Sequence, residues 1–270
     1  MEFQKKQYDG PYEVAGVEIH NEGQLFNGVL YFPPDPFKKP FPLIVYLHGF
    51  PQLFMLEEIV KSYRYLLDLG FSFLAFNFRG YRDSEGEISI GSQVSDSIKI
   101  IEFIKKMGKN DIFDINNINI IGHDFGAYIT LILCTKTKTI NKVLLLSPII
   151  DLKRHVFDKT FQKKLHYINR FLPGHVRGVS NVTEFIKKTK SELENEEYQI
   201  QWVLQHLNNK NFKVIIGDED KITPLSELDL LKKNSNMEFE FAVIKCMDHE
   251  CLSDEHEKQI EEEILSFFII

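Results

Sequence analysis

Between residues 117 and 130 an apolar run containing Ile118, Ile120 and Ile121 passes into Gly122-His123-Asp124-Phe125-Gly126 and then into a helix-like stretch that begins Ala127-Tyr128-Ile129. A strand that turns so sharply into a helix forces its central residue into a strained backbone conformation, and the positions two before and two after it must lack bulk. Glycine meets that demand at both places. The turn then holds the central side chain up, beside the first free N–H groups of the next helix, whose partial positive charge favours an anion. That central residue is Asp124, not a serine or a cysteine. Taken alone, the stretch also fits an ordinary strand, turn and helix with Asp124 as the N-cap.

The rest of the chain adds partners in order. Residues 212–217 form a buried-strand pattern ending at Gly217-Asp218-Glu219-Asp220, with Pro224 positioned to start a helix. Residues 238–245 alternate and then turn apolar, and Cys246-Met247-Asp248-His249-Glu250 follows. Nucleophile, acid and histidine therefore come in the sequence order Asp124, Asp220, His249.

With those residues in that order, the chain resembles the α/β-hydrolases over nearly its full length. Two further segments carry the resemblance. An apolar strand over residues 42–47 delivers His48-Gly49-Phe50-Pro51, and a second over residues 71–78 delivers Arg79-Gly80-Tyr81-Arg82-Asp83-Ser84, close to an Arg-Gly-x-Gly-x-Ser signature with Arg82 at the second glycine. The resemblance implies an oxyanion hole made by the backbone N–H groups of Phe50 and Phe125. It implies an α/β-hydrolase fold, a mostly parallel sheet with helices on both faces and a short helical cap. Asp220 is preferred as the acid over Asp218 and Asp248, since the resemblance puts the acid three residues after the glycine.

Segment patterns outside the motifs agree. Residues 12–32 alternate like two antiparallel strands around Asn21-Glu22-Gly23. From there to residue 150, strand and helix patterns take turns, with helices expected over residues 56–69, 94–107 and 127–134. Residues 1–150 and 212–270 are read as one core, closed by a last helix over residues 260–270. Residues 151–211 are read as a helical insertion with amphipathic helices near 161–171, 182–193 and 198–207, broken at Pro173-Gly174 and Gly178. In α/β-hydrolases a segment at this point forms a cap over the nucleophile; a surface elaboration is the alternative.

Composition narrows the partners. A hydrophobic content of 43% over 270 residues fills a large core. The net charge of −7 without a basic cluster argues against nucleic acid and against anionic membranes, so no membrane partner is expected. The first ten residues lack an apolar leader, and the three cysteines, Cys134, Cys246 and Cys251, are scattered, so a reducing cytoplasm is the expected setting. No nucleotide-binding glycine loop or haem motif is present. The group Asp248, His249, Glu250, Cys251, Asp254 and His256 matches no common zinc spacing, so neither metal nor cofactor is expected.

An aspartate at the turn changes the chemistry. It is already ionised near pH 7, so the histidine is free to work on water. Asp124 would open an epoxide or displace a halide at saturated carbon, forming an alkyl-enzyme ester. His249, oriented by Asp220, would then activate the water that hydrolyses it. The resemblance links an elbow aspartate, together with His-Gly-Phe-Pro and Arg-Gly-Tyr, to epoxide hydrolases and dehalogenases. Phe125 departs from it, since those enzymes carry Trp or Arg there. Tyr167 and Tyr198 of the insertion are candidates to donate to an epoxide oxygen; Trp202, the only tryptophan, is a further substrate-contact candidate with packing as its alternative. Phe50 and Phe125 point to a small apolar substrate.

Two other readings stand beside this one. The segment from Arg79 to Lys106 and the short insertion resemble carboxylesterases and acyl-peptidase-type hydrolases, in which Asp124 would replace a serine and activity would be altered or lost. A ligand-binding protein without catalysis is the third. His48 and His123 are read as supports for the loops beside them, and Arg79 and Asp83 as residues that fix the loop after the second strand.

Overall fold

The computed structural model describes residues 7–208, 211–251 and 253–269. Residues 1–6, Asn209 and Lys210 of the expected insertion, and Ile270 of the expected last helix lie outside the described residues.

The first three strands, β1 (Gln7–Asp9), β2 (Tyr12–Asn21) and β3 (Gln24–Tyr31), form an antiparallel ribbon. Glu22 and Gly23 make the two-residue turn between β2 and β3, both with positive φ as the right-handed twist of a hairpin requires. Then come β4 (Phe41–Leu47), α1 (Leu56–Ser62), α2 (Arg64–Leu67), β5 (Ser72–Phe76), α3 (Ile90–Gly108), β6 (Phe113–His123), α4 (Phe125–Lys136) and β7 (Ile140–Leu146). The helix expected over residues 56–69 is broken at Tyr63, whose ring turns inward to stack on Phe73 at 5.3 Å and meet Tyr46 at a tilt at 5.4 Å. After β7 the chain leaves the sheet for α5 (Leu152–Phe157), α6 (Lys159–Phe171), α7 (Val182–Glu192), a 3-10 turn (Glu196–Tyr198) and α8 (Ile200–Gln205). It returns as β8 (Asn211–Gly217), α9 (Leu228–Asn234), β9 (Phe239–Ile244) and α10 (Asp254–Ile269).

The nine strands of the described residues join one sheet in the order β1-β2-β3-β5-β4-β6-β7-β8-β9. The six from β5 to β9 run parallel. Their near-continuous apolar sequences follow from burial on both faces. Leu43, Val45 and Leu47 of β4 join the core beneath α3, α4 and the inserted helices, while Ile44 and Tyr46 join the core beneath α1, α2 and α10. The period-two alternation of a strand feeds two cores at once.

Strand order reverses between β4 and β6. From β4 the chain moves outward to β5, and from β6 it moves the other way to β7. The carboxyl ends of β4 and β6 therefore open a crevice, the place where sheets of this kind bind ligands. Phe50 follows the first strand and Asp124 the second.

Candidate active site

Asp124 sits between β6 and α4 with φ 53° and ψ −117°, a conformation that an L-residue adopts only at a cost of about 1–3 kcal/mol. Close packing holds it there. A Cβ added at Gly126 would lie 2.1 Å from the Leu47 carbonyl oxygen, and one at Gly122 would lie 2.4 Å from Thr130 Oγ1. Gly126 thus lets the helix start approach β4 and Gly122 lets β6 approach α4, and the strain falls on Asp124 itself. The Asp124 carbonyl is used as well, accepting from the Ala127 and Ile149 N–H groups at 3.2 Å.

Each carboxylate oxygen of Asp124 has its own partner. Oδ2 accepts the Phe50 N–H at 2.8 Å, and Oδ1 faces His249 Nε2 at 3.2 Å. His249 Nδ1 meets Asp220 Oδ2 at 2.8 Å, and the other oxygen of Asp220 accepts the N–H groups of Ile222 and Thr223 at 2.8 Å. Asp220 is thus held by its own turn before it orients the imidazole. The rival acids are occupied elsewhere: Asp218 accepts from the Cys246 N–H, and Asp248 from the Glu250 and Cys251 N–H groups. Phe125 opens α4, where the helix offers its N–H no acceptor, next to the Asp124 carboxylate.

Both His249 nitrogens face carboxylates, which only accept, so the arrangement suits an imidazolium that donates twice. Burial opposes that charge, yet hydrogen bonds and charge from Asp124 and Asp220 outweigh burial and raise the His249 pKa to about 10. Burial likewise opposes ionisation of Asp124. The His249 hydrogen bond and charge, with smaller help from the Phe50 N–H, overcome it and hold the carboxyl below the usual aspartate range. At neutral pH the site rests as carboxylate, imidazolium, carboxylate.

Neutral histidines support it. His48 is buried; its Nδ1 lies 2.8 Å from the Gly49 carbonyl oxygen and donates to it, while its Nε2 accepts the Phe78 N–H at 3.2 Å, tying the loops after β4 and β5 together. Burial lowers its pKa to about 4, so one nitrogen is free to accept. His123 Nδ1 pairs with the Tyr46 hydroxyl at 3.0 Å. Arg79 anchors the loop after β5 through buried Asp96, at 2.6 Å from Nε to Oδ1, and through Glu22 at 2.7 Å. Asp83, expected to share that work, is exposed, and Ser84 does it by accepting the Asn27 N–H and donating to the Asn77 carbonyl.

A narrow cavity of about 20 Å³, on the order of one water molecule, lies beside Phe50 and Phe125. The inserted helices supply half of its wall, through Leu152, His155 and Val156 of α5, Phe161 of α6, and Phe185 and Thr189 of α7. Phe50 stands 5.7 Å from the Phe161 ring and 5.5 Å from that of Phe185. A substrate larger than water enters only if these rings or their helices move.

Tyr167, Tyr198 and Trp202 do not line that cavity. Tyr167 is 60% exposed and lies tilted against Phe171 at 4.6 Å, because α6 buries Phe161, Leu165 and Ile168 on its other side. Tyr198 borders a separate polar groove between α3 and α4, its carbonyl accepting the Tyr128 hydroxyl at 2.5 Å. Trp202 stacks on His206 at 3.8 Å beneath Lys136.

The residue that reading the sequence missed is His155. It is buried on α5, and its Nε2 has no partner among the described residues. Of the other polar side chains in the cavity wall, Ser89 caps α3 by accepting the Ser92 N–H and Thr189 donates to the Phe185 carbonyl. Burial drives the His155 pKa down to about 4, so the ring is neutral. A lone histidine on a six-residue helix has no periodicity to mark it. Among the described residues, no group of three or more His, Cys, Asp or Glu has a metal-holding arrangement.

A mostly parallel sheet, a strained elbow with an acidic side chain, and an acid–histidine pair at one crevice define an enzyme of the hydrolase class. The chain belongs to the alpha/beta hydrolase fold family, whose sequence profile matches residues 42–184. It is 27% identical over 143 residues to the lysophosphatidylserine lipase ABHD12 of Danio rerio, a match taking in 51% of this chain but only 35% of that protein. The chain thus spans about a third of the length of that relative. Among solved structures, Est1E from Butyrivibrio proteoclasticus superimposes with a TM-score of 0.69 at 15% identity, covering 94% of this chain and 97% of that one. A Mycobacterium tuberculosis puromycin-hydrolyzing peptidase gives 0.72 at 16% identity over 95% of this chain and 39% of the other. At these identities the structural likeness shows the fold.

Proposed function

We propose that the protein hydrolyses small apolar epoxides, with Asp124 as the nucleophile, the inserted helices as a cap and His155 as a contact to the reacting oxygen. The observation that carries this reading is the division of the Asp124 carboxylate: Oδ2 on the Phe50 N–H and Oδ1 toward His249. Oδ1 attacks a ring carbon of the epoxide, the C–O bond breaks, and its electron pair goes to the leaving oxygen. Oδ2 becomes the ester carbonyl, already placed on the hydrogen bond it needs when water later attacks.

Proton balance favours an epoxide over a halide. The resting His249 carries a proton that must leave before the ring can act as a base. An alkoxide takes up that proton; a departing halide does not. Esterification also removes the Asp124 charge, one of the two carboxylates that keep the His249 pKa high. The imidazole then falls into a range where it accepts a proton from water. Hydroxide adds to the Asp124 carbonyl carbon, the alkoxide is expelled and protonated, and carboxylate and imidazolium return. His155 Nε2, the one side-chain nitrogen of the cavity wall that is buried without a partner among the described residues, is available to the epoxide oxygen.

One observation favours a second reading. The Asp124 carboxylate stands on the donor that an ester oxyanion would use, and the similar proteins include a lipase and a peptidase. On this reading the chain is an ester-hydrolase scaffold whose nucleophile is replaced. A panel of epoxides, haloalkanes and p-nitrophenyl esters, run with the unaltered protein, Asp124→Asn, Asp124→Ser and His249→Gln, separates them. Epoxide turnover by the unaltered protein, lost in all three variants, is the expected result. Ester cleavage by Asp124→Ser alone overturns it in favour of the scaffold, and no turnover by any form leaves a binding protein.

A further inference from the structure

The inserted helices carry a charge that the whole chain conceals. From α5 to α8, residues 152–205 hold ten Lys and Arg against six Asp and Glu, a net +4 within a chain of net −7, and all ten basic residues fall within 152–190 beside only two of the acids. Much of it lies on one stripe. Lys159, Lys163 and Arg170 stand at i, i+4 and i+11 along α6, on the face opposite buried Phe161, Leu165 and Ile168. None of the three has a carboxylate partner among the described residues, whereas Lys164 beside them pairs with Glu250.

Large apolar side chains are exposed beside this stripe. Tyr167 and Phe171, at i+8 and i+12, are 60% and 55% exposed, and the Arg170 guanidinium lies 5.1 Å from the Phe171 ring. Phe157, at the end of α5, is 44% exposed, with Lys190 Nζ 5.5 Å from its ring. Leu53, Phe54 and Met55 are exposed in the loop after β4. Arg82 links that loop to the insertion: its side chain donates to the Leu53 carbonyl, and its backbone N–H donates to the His175 carbonyl at 3.0 Å. The same helices line the cavity at Phe50 and Phe125 with their inner residues.

We propose that this face docks on an anionic lipid bilayer, with Lys159, Lys163 and Arg170 at the headgroups and Phe157, Tyr167 and Phe171 entering the interface. Basic residues flanked by exposed aromatics on an amphipathic helix are the pattern that lies in a membrane surface. An acidic protein accounts for the charge but leaves the aromatic edge without a partner of its own, and a nucleic acid or other polyanion would bind without any bilayer. Docking there turns the cavity wall toward the lipid, so that an apolar substrate reaches the site from the bilayer. The proposal does not depend on the chemistry at Asp124.

Sedimentation of the full chain with phosphatidylcholine vesicles, with and without phosphatidylserine, tests it. Binding should require phosphatidylserine and weaken as salt is raised, each basic residue near the surface being worth about fivefold in affinity. The Lys159→Glu, Lys163→Glu, Arg170→Glu triple variant should lose binding with an unchanged thermal unfolding midpoint. Tyr167→Ala with Phe171→Ala should bind several-fold more weakly at equal charge, and Lys163→Glu alone serves if the triple variant does not fold. No binding at low salt, equal binding to both vesicles, wild-type binding by a folded charge variant, or binding to heparin without vesicles overturns the proposal.

Discussion

His249 and Asp124 are held 3.2 Å apart, Nε2 to Oδ1, while the opposite nitrogen of the same ring lies 2.8 Å from Asp220. A buried imidazolium between two carboxylates is the resting condition of the site, and both its stability and its chemistry follow from that charge.

Stability should fall on the alkaline side. The folded-state pKa of His249, about 10, lies above its ordinary value of 6.5, so the native state binds the extra proton between those values. The contribution is complete below pH 6.5 and is lost as pH rises through about 10. Thermal unfolding midpoints across that range should decline for the unaltered protein. The Asp124→Asn variant, lacking one of the two charges, should decline over a narrower span. Parallel profiles would contradict the coupling.

His249→Gln should stop the reaction halfway. Alkylation by Asp124 is slowed, because the alkoxide must take its proton from water, but the ester that forms lacks its base, and general-base loss slows its hydrolysis by about 10²–10⁴. Intact-mass measurement after mixing with a turned-over epoxide should show enzyme heavier by the mass of one substrate. Unmodified enzyme would mean that Asp124 forms no ester.

His155→Phe should separate function from stability. Filling the position with an apolar ring removes a buried nitrogen that has no partner, an arrangement that costs about 1–3 kcal/mol. The variant should unfold at a higher temperature and turn over epoxide about tenfold more slowly. A loss of stability would show that the imidazole packs for structure alone.

Gly126→Ala should destabilise although it adds one methyl group. The new Cβ would lie 2.1 Å from the Leu47 carbonyl oxygen, and overpacking of this kind costs about 1–3 kcal/mol or more. Denaturant unfolding measures it, and a neutral result would show that the elbow relaxes.

The fold was legible because its sheet is buried on both faces. Apolar runs separated by helix patterns marked the parallel strands; the strand ends placed Asp124 and His249 in loops, while the choice of Asp220 over Asp218 and Asp248 came from the family resemblance. The three-residue β1 and the break at Tyr63 were not legible, the first being too short for any period and the second depending on aromatic packing across the sheet. The cavity wall was harder still. Periodicity shows that α6 has an apolar face, yet only the packing reveals that Phe161 faces the site while Tyr167 faces out. Chain-wide charge hid the basic stripe of the insertion, because the acidic excess lies elsewhere in the chain.

Single-turnover hydrolysis of an epoxide in heavy-oxygen water, with enzyme in excess, tests the nucleophile most directly. Attack of water on the Asp124 carbonyl carbon leaves the solvent oxygen in the carboxylate and the old carboxylate oxygen in the diol. The account predicts a heavy Asp124 peptide and an unlabelled product after one turnover. A labelled product with an unlabelled Asp124 peptide would contradict it, since water would then have attacked the substrate directly.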